Sequence, residues 1–271
     1  MRAPAAAKIN LALVVGPARA DGKHELLTVY QRLALADRIE IEPAAALHIA
    51  GFAADELVRR ALEVLAARGG VEPRWRARIE KRIPVAAGLG GGSSDAATAL
   101  RLANELLPEP VPARGLYELA AGLGADVPFF LADGPQLGSG DGSVLRPLEL
   151  PQDYWALLVL PDGSRKAATG SVYAEFDLRE GARGWEGRRD ALLAALEHVR
   201  RPRDLARLPS NDLASSPLAD ELRALGAFRA DVTGAGPVVY GLFHHKERAR
   251  GAKRALKRVG QTWLTAPAWY G

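Results

Sequence analysis

The sequence predicts an α+β protein in two parts, on three observations. Strand and helix patterns alternate through the second half without a doubly wound signature, which suggests an α+β sandwich. A stretch rich in Gly, Pro and Asp at 133–153 marks the best domain junction, giving an N-terminal domain over 1–150 and a C-terminal domain over 151–271. In the first half a glycine-rich loop joins a strand to a helix.

The elements follow in order. Lys8 to Val15 is apolar and strand-like, and Leu26 to Ala36 and Arg38 to Glu42 read as two further strands. Asp55 to Arg68 reads as a helix, with Leu57, Val58, Ala61, Leu62 and Leu65 on one face and Gly69-Gly70 ending it. Trp75, Ala77 and Ile79 alternate with Arg74, Arg76, Arg78 and Glu80, the pattern of a half-buried strand. Ala96 to Leu107 and Ala113 to Ala121 read as helices. In the second half Tyr154 to Leu160 is a buried strand, and Arg189 to Val199 and Ala219 to Leu225 are helices. Ala230 to Phe243 reads as strand, glycine turn and strand. A basic amphipathic helix over Lys246 to Arg258 follows, then an edge strand over Thr262 to Ala266.

Composition narrows the class. At 271 residues, 48% hydrophobic and 25% charged, the chain can bury a substantial core. It has no cysteine, so disulfides and thiolate metal sites are excluded. Met1-Arg2-Ala3-Pro4 runs into a strand without the apolar core of a secretion signal, and no apolar run approaches a membrane span. A cytoplasmic enzyme is the expectation. The net charge of +4 suits an anionic substrate. It also suits nucleic acid, but the basic segment at 246–258 carries no aromatic side chains for base stacking and reads as a solvated face.

The loop Pro84-Val85-Ala86-Ala87-Gly88-Leu89-Gly90-Gly91-Gly92-Ser93-Ser94 carries the most chemistry. Glycines let the backbone approach an anion closely, and unpaired N–H groups and the dipole at a helix start favour negative charge. Ser93 and Ser94 add hydroxyl donors or cap the helix. No Gly-Lys-Ser/Thr follows, so this is not a Walker loop, and Ser93 stands where a dinucleotide fingerprint needs its third glycine. The protein-kinase motifs are absent.

Three other segments stand out. Lys8 lies inside an apolar strand, where it either snorkels to the surface or meets a carboxylate or phosphate. Asp126 sits in Gly124-Ala125-Asp126-Val127-Pro128, as a turn residue or a buried acid. Asp231-Val232-Thr233-Gly234-Ala235-Gly236-Pro237 is a second glycine turn, either a plain hairpin or a second approach to phosphate.

Together these segments resemble the GHMP kinase superfamily: Lys8-Ile9-Asn10-Leu11, the Gly88 to Ser94 loop and the Thr233 to Gly236 turn stand in family order. Arg19-Ala20-Asp21-Gly22-Lys23-His24, Gly124-Ala125-Asp126-Val127-Pro128 and Ser210-Asn211-Asp212-Leu213 narrow the resemblance to the branch that phosphorylates a sugar alcohol carried on cytidine diphosphate, in the non-mevalonate route to isoprenoids. The resemblance implies an N-terminal domain like that of ribosomal protein S5, a C-terminal ferredoxin-like sandwich, and an active site in the cleft between them. It implies ATP as phosphoryl donor, with Mg²⁺ carried mainly by the nucleotide and no metal ligands of the chain's own. Asp126 would be the base and Lys8 its partner, holding it ionised and neutralising the transferring phosphoryl. Lys81, Pro84, Val85, Ala86, Ala87, Gly88, Leu89, Gly90, Gly91, Gly92, Ser93 and Ser94 would bind ATP, with Lys81 by the adenine. Asn10, Lys23, His24, Tyr173, Thr233 and Gly234 would bind the second substrate, His24 reading the cytosine and Tyr173 stacking on it. The chain departs from the family pattern at Lys23, where a tyrosine is usual, and at Glu56, where an asparagine is usual. A cation–π or phosphate contact from Lys23 would replace the missing stack. The partners implied are small molecules, with no nucleic acid and no membrane, for a monomer or weak homodimer. The competing readings are another GHMP kinase, of the homoserine or mevalonate type, and a basic nucleic-acid-binding module.

Overall fold

A computed structural model describes residues 1–52, 55–164 and 168–268, which fall into two compact units. The first comprises Met1–Ala7, Leu35–Val85 and Gly90–Asp133; the second comprises Lys8–Ala34, Ala86–Leu89 and the chain from Gly134 onward. Strands β1 (Arg2–Ala18) and β2 (His24–Pro43) each contribute residues to both units.

In the first unit, Arg38–Pro43 of β2 pairs antiparallel with β4 (Trp75–Glu80), and β3 (His48–Ala50) pairs parallel with β4 on its other side. The alternation of β4 does what its period demands: Trp75, Ala77 and Ile79 are buried and Arg76, Arg78 and Glu80 are exposed. The buried face meets helices α1 (Glu56–Arg68), α2 (Gly91–Asn104) and α3 (Ala113–Leu123) in a core that includes Ile39, Ile41, Val58, Leu62, Leu65 and Leu100. Asp55 starts α1 by accepting the N–H groups of Leu57 and Val58 at 3.2 and 3.1 Å. Ala61 and Ala66 on α1 and Ala96, Ala99 and Ala103 on α2 supply small side chains to the same core.

In the second unit, β5 (Gln136–Gly140) and β6 (Val144–Pro147) form a hairpin that extends Leu26–Tyr30 of β2. A separate antiparallel sheet follows, of β7 (Trp155–Pro161), β8 (Arg229–Val232), β9 (Val239–Phe243) and β10 (Gly260–Thr265), in the order β10-β7-β9-β8. Helices lie between β7 and β8 and between β9 and β10, which gives the ferredoxin-like arrangement. Leu218 and Leu222 of α6 (Pro217–Ala224) and Ala249 and Ala252 of α7 (Lys246–Ala255) share a core with Leu157, Val159 and Phe243. Val172 and Phe176 of α4 (Thr169–Leu178) pack with Leu13, Val15, Leu26 and Leu213, and α5 (Trp185–Glu197) follows.

The α+β class stands, and two local expectations are corrected. The two strands expected at 26–36 and 38–42 are one strand. Asp37, a poor strand former, sits inside it because its carboxylate accepts the backbone N–H groups of Arg82 and Ile83. Helix α2 begins at Gly91 rather than Ala96, so the last glycines and both serines of the loop are helical. The stretch at 133–153 holds the β5–β6 hairpin, and the second unit resumes at its start, at Gly134. Helix α4 and strand β3 have no counterpart in the sequence reading, since α4 holds a Thr-Gly-Ser start and little amphipathic pattern, and β3 has three residues.

Candidate functional site

The glycine loop follows β4 and holds three residues at positive φ in five: Ala86 at 55°, Gly88 at 80° and Gly90 at 71°. Gly90 and Gly88 take this conformation readily; Ala86 carries a steric penalty of about 1–2 kcal/mol. Gly90 caps α2, whose first helical bond runs from the Ser94 N–H to the Gly90 carbonyl at 2.9 Å. The serines therefore lie in the first turn and do not cap it. The N–H groups that open that turn lack intrahelical acceptors, the arrangement that receives anions. A Cβ built on Gly92 meets nothing within 4 Å.

In the second unit the two glycine turns meet. A Cβ on Gly88 would stand 2.7 Å from the Thr233 carbonyl oxygen and 2.8 Å from that of Gly236. Lys8 is held beside them by its N–H, which donates to the Leu89 carbonyl at 2.9 Å. The Lys8 side chain is 3% exposed and does not snorkel; its Nζ donates to Asn10 Oδ1 at 2.7 Å. Asn10 is oriented by elimination. Its Nδ2 donates to Thr28 Oγ1 at 2.8 Å, and Thr28 spends its own hydroxyl proton on the Ala12 carbonyl at 2.8 Å, so the amide oxygen must face Lys8. The Asn10 N–H donates to Thr233 Oγ1 at 3.1 Å. A Cβ on Gly234 would lie 3.6 Å from Lys8 Nζ. Lys8, Asn10, Thr233 and Gly234 are thus one cluster.

Residues the sequence reading gave no role support that cluster. Asn211 Nδ2 donates to the carbonyls of Val232 and Gly234 at 3.0 and 2.6 Å, clamping the second turn. Asp231 Oδ2 accepts the Asn211 N–H at 2.9 Å and lies 3.5 Å from the buried Arg229 guanidinium, which also donates to the carbonyls of Leu205, Leu208 and Pro209. Burial raises the Asp231 carboxyl despite Arg229.

The residues expected at the cytosine also assemble within the second unit. The His24 ring stacks on Tyr173 with centroids 4.8 Å apart and planes at 27°, and it meets Phe176 edge-on at 5.9 Å. Its Nε2 lies 2.8 Å from Asp177 Oδ1. Tyr173 and Asp177 are four apart on α4, so one helix face presents both to His24. Lys23 turns elsewhere: its Nζ donates to Asp141 Oδ2 at 2.5 Å. Burial raises the Asp141 carboxyl, but hydrogen bonds from Lys23 and Ser143 outweigh it and hold the group at about 2. The expected cation–π or phosphate contact of Lys23 would thus be made from within this ion pair.

In the first unit, Asp126 lies in the turn after α3, where the Val127 N–H donates to the Gly124 carbonyl at 3.1 Å. Lys81 follows β4 and donates to two carboxylates, Asp37 Oδ2 at 2.5 Å and Asp95 Oδ2 at 2.7 Å. Its Nζ is also 5.8 Å from the Phe52 ring centroid. Burial would lower the Lys81 ammonium, but the charges and hydrogen bonds of Asp95 and Asp37 leave it raised. The sequence reading missed both acids, although Asp37 bears the same signal as Lys8, a charge inside a strand. Among the described residues no group of three His, Asp or Glu side chains could hold a metal, and no helix is long and apolar enough to cross a membrane.

The family models for the GHMP kinases N terminal domain and the GHMP kinases C terminal match residues 56–134 and 193–262. A 4-diphosphocytidyl-2-C-methyl-D-erythritol kinase of Anaeromyxobacter sp. (strain Fw109-5) is 38% identical over 267 residues, covering 93% of this chain and 85% of that protein. A crystal structure of 4-(cytidine 5'-diphospho)-2C-methyl-D-erythritol kinase is 34% identical, with a TM-score of 0.81 over all of both chains. The Methanococcus jannaschii mevalonate kinase shares the fold at 15% identity and a TM-score of 0.77, over 99% of this chain and 98% of that one.

Proposed function

Because the chain belongs to the 4-diphosphocytidyl-2-C-methyl-D-erythritol kinases of the GHMP kinase family, we propose that it transfers the γ-phosphoryl of ATP to the 2-hydroxyl of 4-diphosphocytidyl-2-C-methyl-D-erythritol. The observation that carries this reading is the cluster of Lys8, Asn10, Thr233 and Gly234 at the meeting of the two glycine turns. Such a cluster supplies one buried cation beside backbone that can approach phosphate, as phosphoryl transfer requires.

In this reading the loop from Pro84 to Ser94 receives the nucleotide phosphates through backbone N–H groups and the α2 dipole. Asp126 takes the proton of the attacking hydroxyl as the new P–O bond forms and ADP leaves. Lys8 neutralises charge on the phosphoryl. Bound ATP brings the phosphoryl group, with Mg²⁺ held mainly by its phosphates and water. His24 and Tyr173 take the cytosine, and the Lys23–Asp141 pair flanks that end of β2. The protein acts on small molecules in the cytoplasm, as a monomer or weak homodimer.

A coupled assay of ADP release tests this, comparing the cytidine diphosphate substrate with mevalonate and homoserine. Turnover confined to the first is the expected result. Turnover of either other alcohol at a comparable kcat/KM would assign the chain to another branch of the family.

A further inference from the structure

The three-residue cluster Asp37, Lys81 and Asp95 places two carboxylates on one ammonium, and the two are not equivalent. Asp37 has three donors: its Oδ1 accepts the N–H groups of Arg82 and Ile83 at 2.5 and 2.8 Å, and its Oδ2 accepts Lys81 Nζ. Asp95 is 0% exposed, its Oδ2 has Lys81 alone, and its Oδ1 has no hydrogen-bond partner. Three donors satisfy an anion. A buried carboxylate with one bare oxygen is an expensive group, whereas a neutral carboxyl there leaves only one polar atom unpaired.

We propose that Asp95 is a positioning residue held as the neutral acid, with Asp37 the anionic partner of Lys81, so that the cluster under the first turn of α2 carries no net charge. The charged groups facing Asp95 are Lys81, Asp37 and Asp55, the last from the cap of α1. Two of the three are acids, which favours the neutral form. Burial, the chief cause, pushes the Asp95 carboxyl up to about 8 even against Lys81.

Geometry makes this matter for the loop. A Cβ built on Gly91 would lie 3.3 Å from Lys81 Nζ and 3.5 Å from Asp37 Oδ2, so the cluster abuts the residue that opens α2. Ionised Asp95 would set a net negative charge against the helix end that faces the nucleotide phosphates. The role therefore rests on the reading that this helix end receives ATP. A neutral Asp95 keeps the cluster from opposing the nucleotide at working pH, and its ionisation as the pH rises through about 8 weakens binding.

Wild type, Asp95→Asn and Asp37→Asn of the full chain test it by two independent readouts. The first is thermal melting without nucleotide from pH 6 to 9. Asparagine mimics the neutral acid but has no proton to lose when the chain unfolds, so Asp95→Asn is expected to melt at or above wild type at pH 6 and to lack the wild-type decline between pH 6 and 8. Asp37→Asn is expected to melt lower throughout. The second readout is titration with MgADP: wild type is expected to weaken at least about fivefold between pH 7 and 9, with Asp95→Asn flat. Equal melting losses at pH 6 for both variants would show Asp95 ionised and overturn the proposal. MgADP binding to none of the three would overturn the nucleotide reading and the role built on it, while the melting curves still decide the proton. If Asp95→Asn fails to fold, the infrared difference spectrum of wild type decides. Loss of a protonated-carboxyl band between pH 6.5 and 9 supports the neutral acid, and its absence overturns it.

Discussion

Gly88 and Thr233 meet backbone to backbone: a side chain on Gly88 would begin only 2.7 Å from the Thr233 carbonyl oxygen. The two glycine turns, 145 residues apart in sequence, are therefore one structure, and neither neighbour is the yielding tip of a side chain. Gly88→Ala must also hold alanine at φ 80°. It is expected to destabilise the protein by about 1–3 kcal/mol and to lower its melting temperature. Gly92→Ala is the contrast, since its Cβ enters open space at ordinary φ. Its melting temperature should stay near that of wild type, with nucleotide affinity reduced because that space is where phosphate would approach. Equal melting for both variants would remove the argument from close approach.

Asp126→Asn keeps the size of the side chain and removes its capacity to take a proton. Turnover is expected to fall about 10²- to 10⁴-fold while melting and nucleotide affinity hold. Lys8→Met should lose turnover as well. It also leaves Asn10 Oδ1 without its 2.7 Å donor, so some loss of stability accompanies it. Single-turnover kinetics beside melting curves separate the two effects. Turnover of Asp126→Asn within a few-fold of wild type would exclude the base role.

The legible part of the candidate site is the part whose residues break local rules. Lys8 in an apolar strand, glycines between a strand and a helix, and Asp126 among glycine and apolar residues each violate a propensity that packing alone would respect. Asp37 breaks the same rule, yet it reads as a gap between two strands because Asp is a poor strand former. The N–H groups that keep it in the strand come from Arg82 and Ile83, more than forty residues on. Asp95 is hidden for the opposite reason. An acid near the start of a helix is ordinary, and nothing local shows that this one is buried beside Lys81. Thr28 and Asn211 likewise look unremarkable until their partners, Asn10 and the Gly234 carbonyl, are folded against them. Helix α4 has a weak apolar stripe, so the Tyr173–Asp177 spacing could not be used.

The Lys23–Asp141 pair ties the acid limb of stability to the start of β2. The Asp141 carboxyl sits at about 2, below the ordinary carboxylate value of about 3.9, so the unfolded chain binds the proton more readily. Its contribution is present above about pH 4 and is lost as the pH falls toward 2. Asp141→Asn should flatten that part of a melting-temperature profile between pH 2 and 5 and lower the melting temperature above pH 4, by an amount that screening of the half-exposed Lys23 keeps small. An unchanged acid limb would show that the ion pair does not persist in solution.

On the proposed reading, in which His24 and Tyr173 take the cytosine, specificity for the cytidine end rests on α4 meeting His24. Tyr173 stacks on that histidine while Asp177, one turn further along, approaches its Nε2 at 2.8 Å. Tyr173 and the group that orients the imidazole thus share one helix face. Tyr173→Ala should raise KM for the cytidine diphosphate substrate by about 5- to 150-fold, the equivalent of one lost base–aromatic stack at about 1–3 kcal/mol. KM for ATP should change far less. Asp177→Asn retains the stack and removes the carboxylate that orients His24, so it should raise the same KM while sparing ATP, to a smaller extent. Lys23→Tyr supplies an aromatic ring where the family has one and leaves Asp141 without its cation. It should fold, lose the acid-limb contribution of the pair, and bind the cytidine substrate at least as tightly as wild type. A Tyr173→Ala enzyme with both KM values unchanged would place the cytosine away from α4, even with the kinase reaction intact.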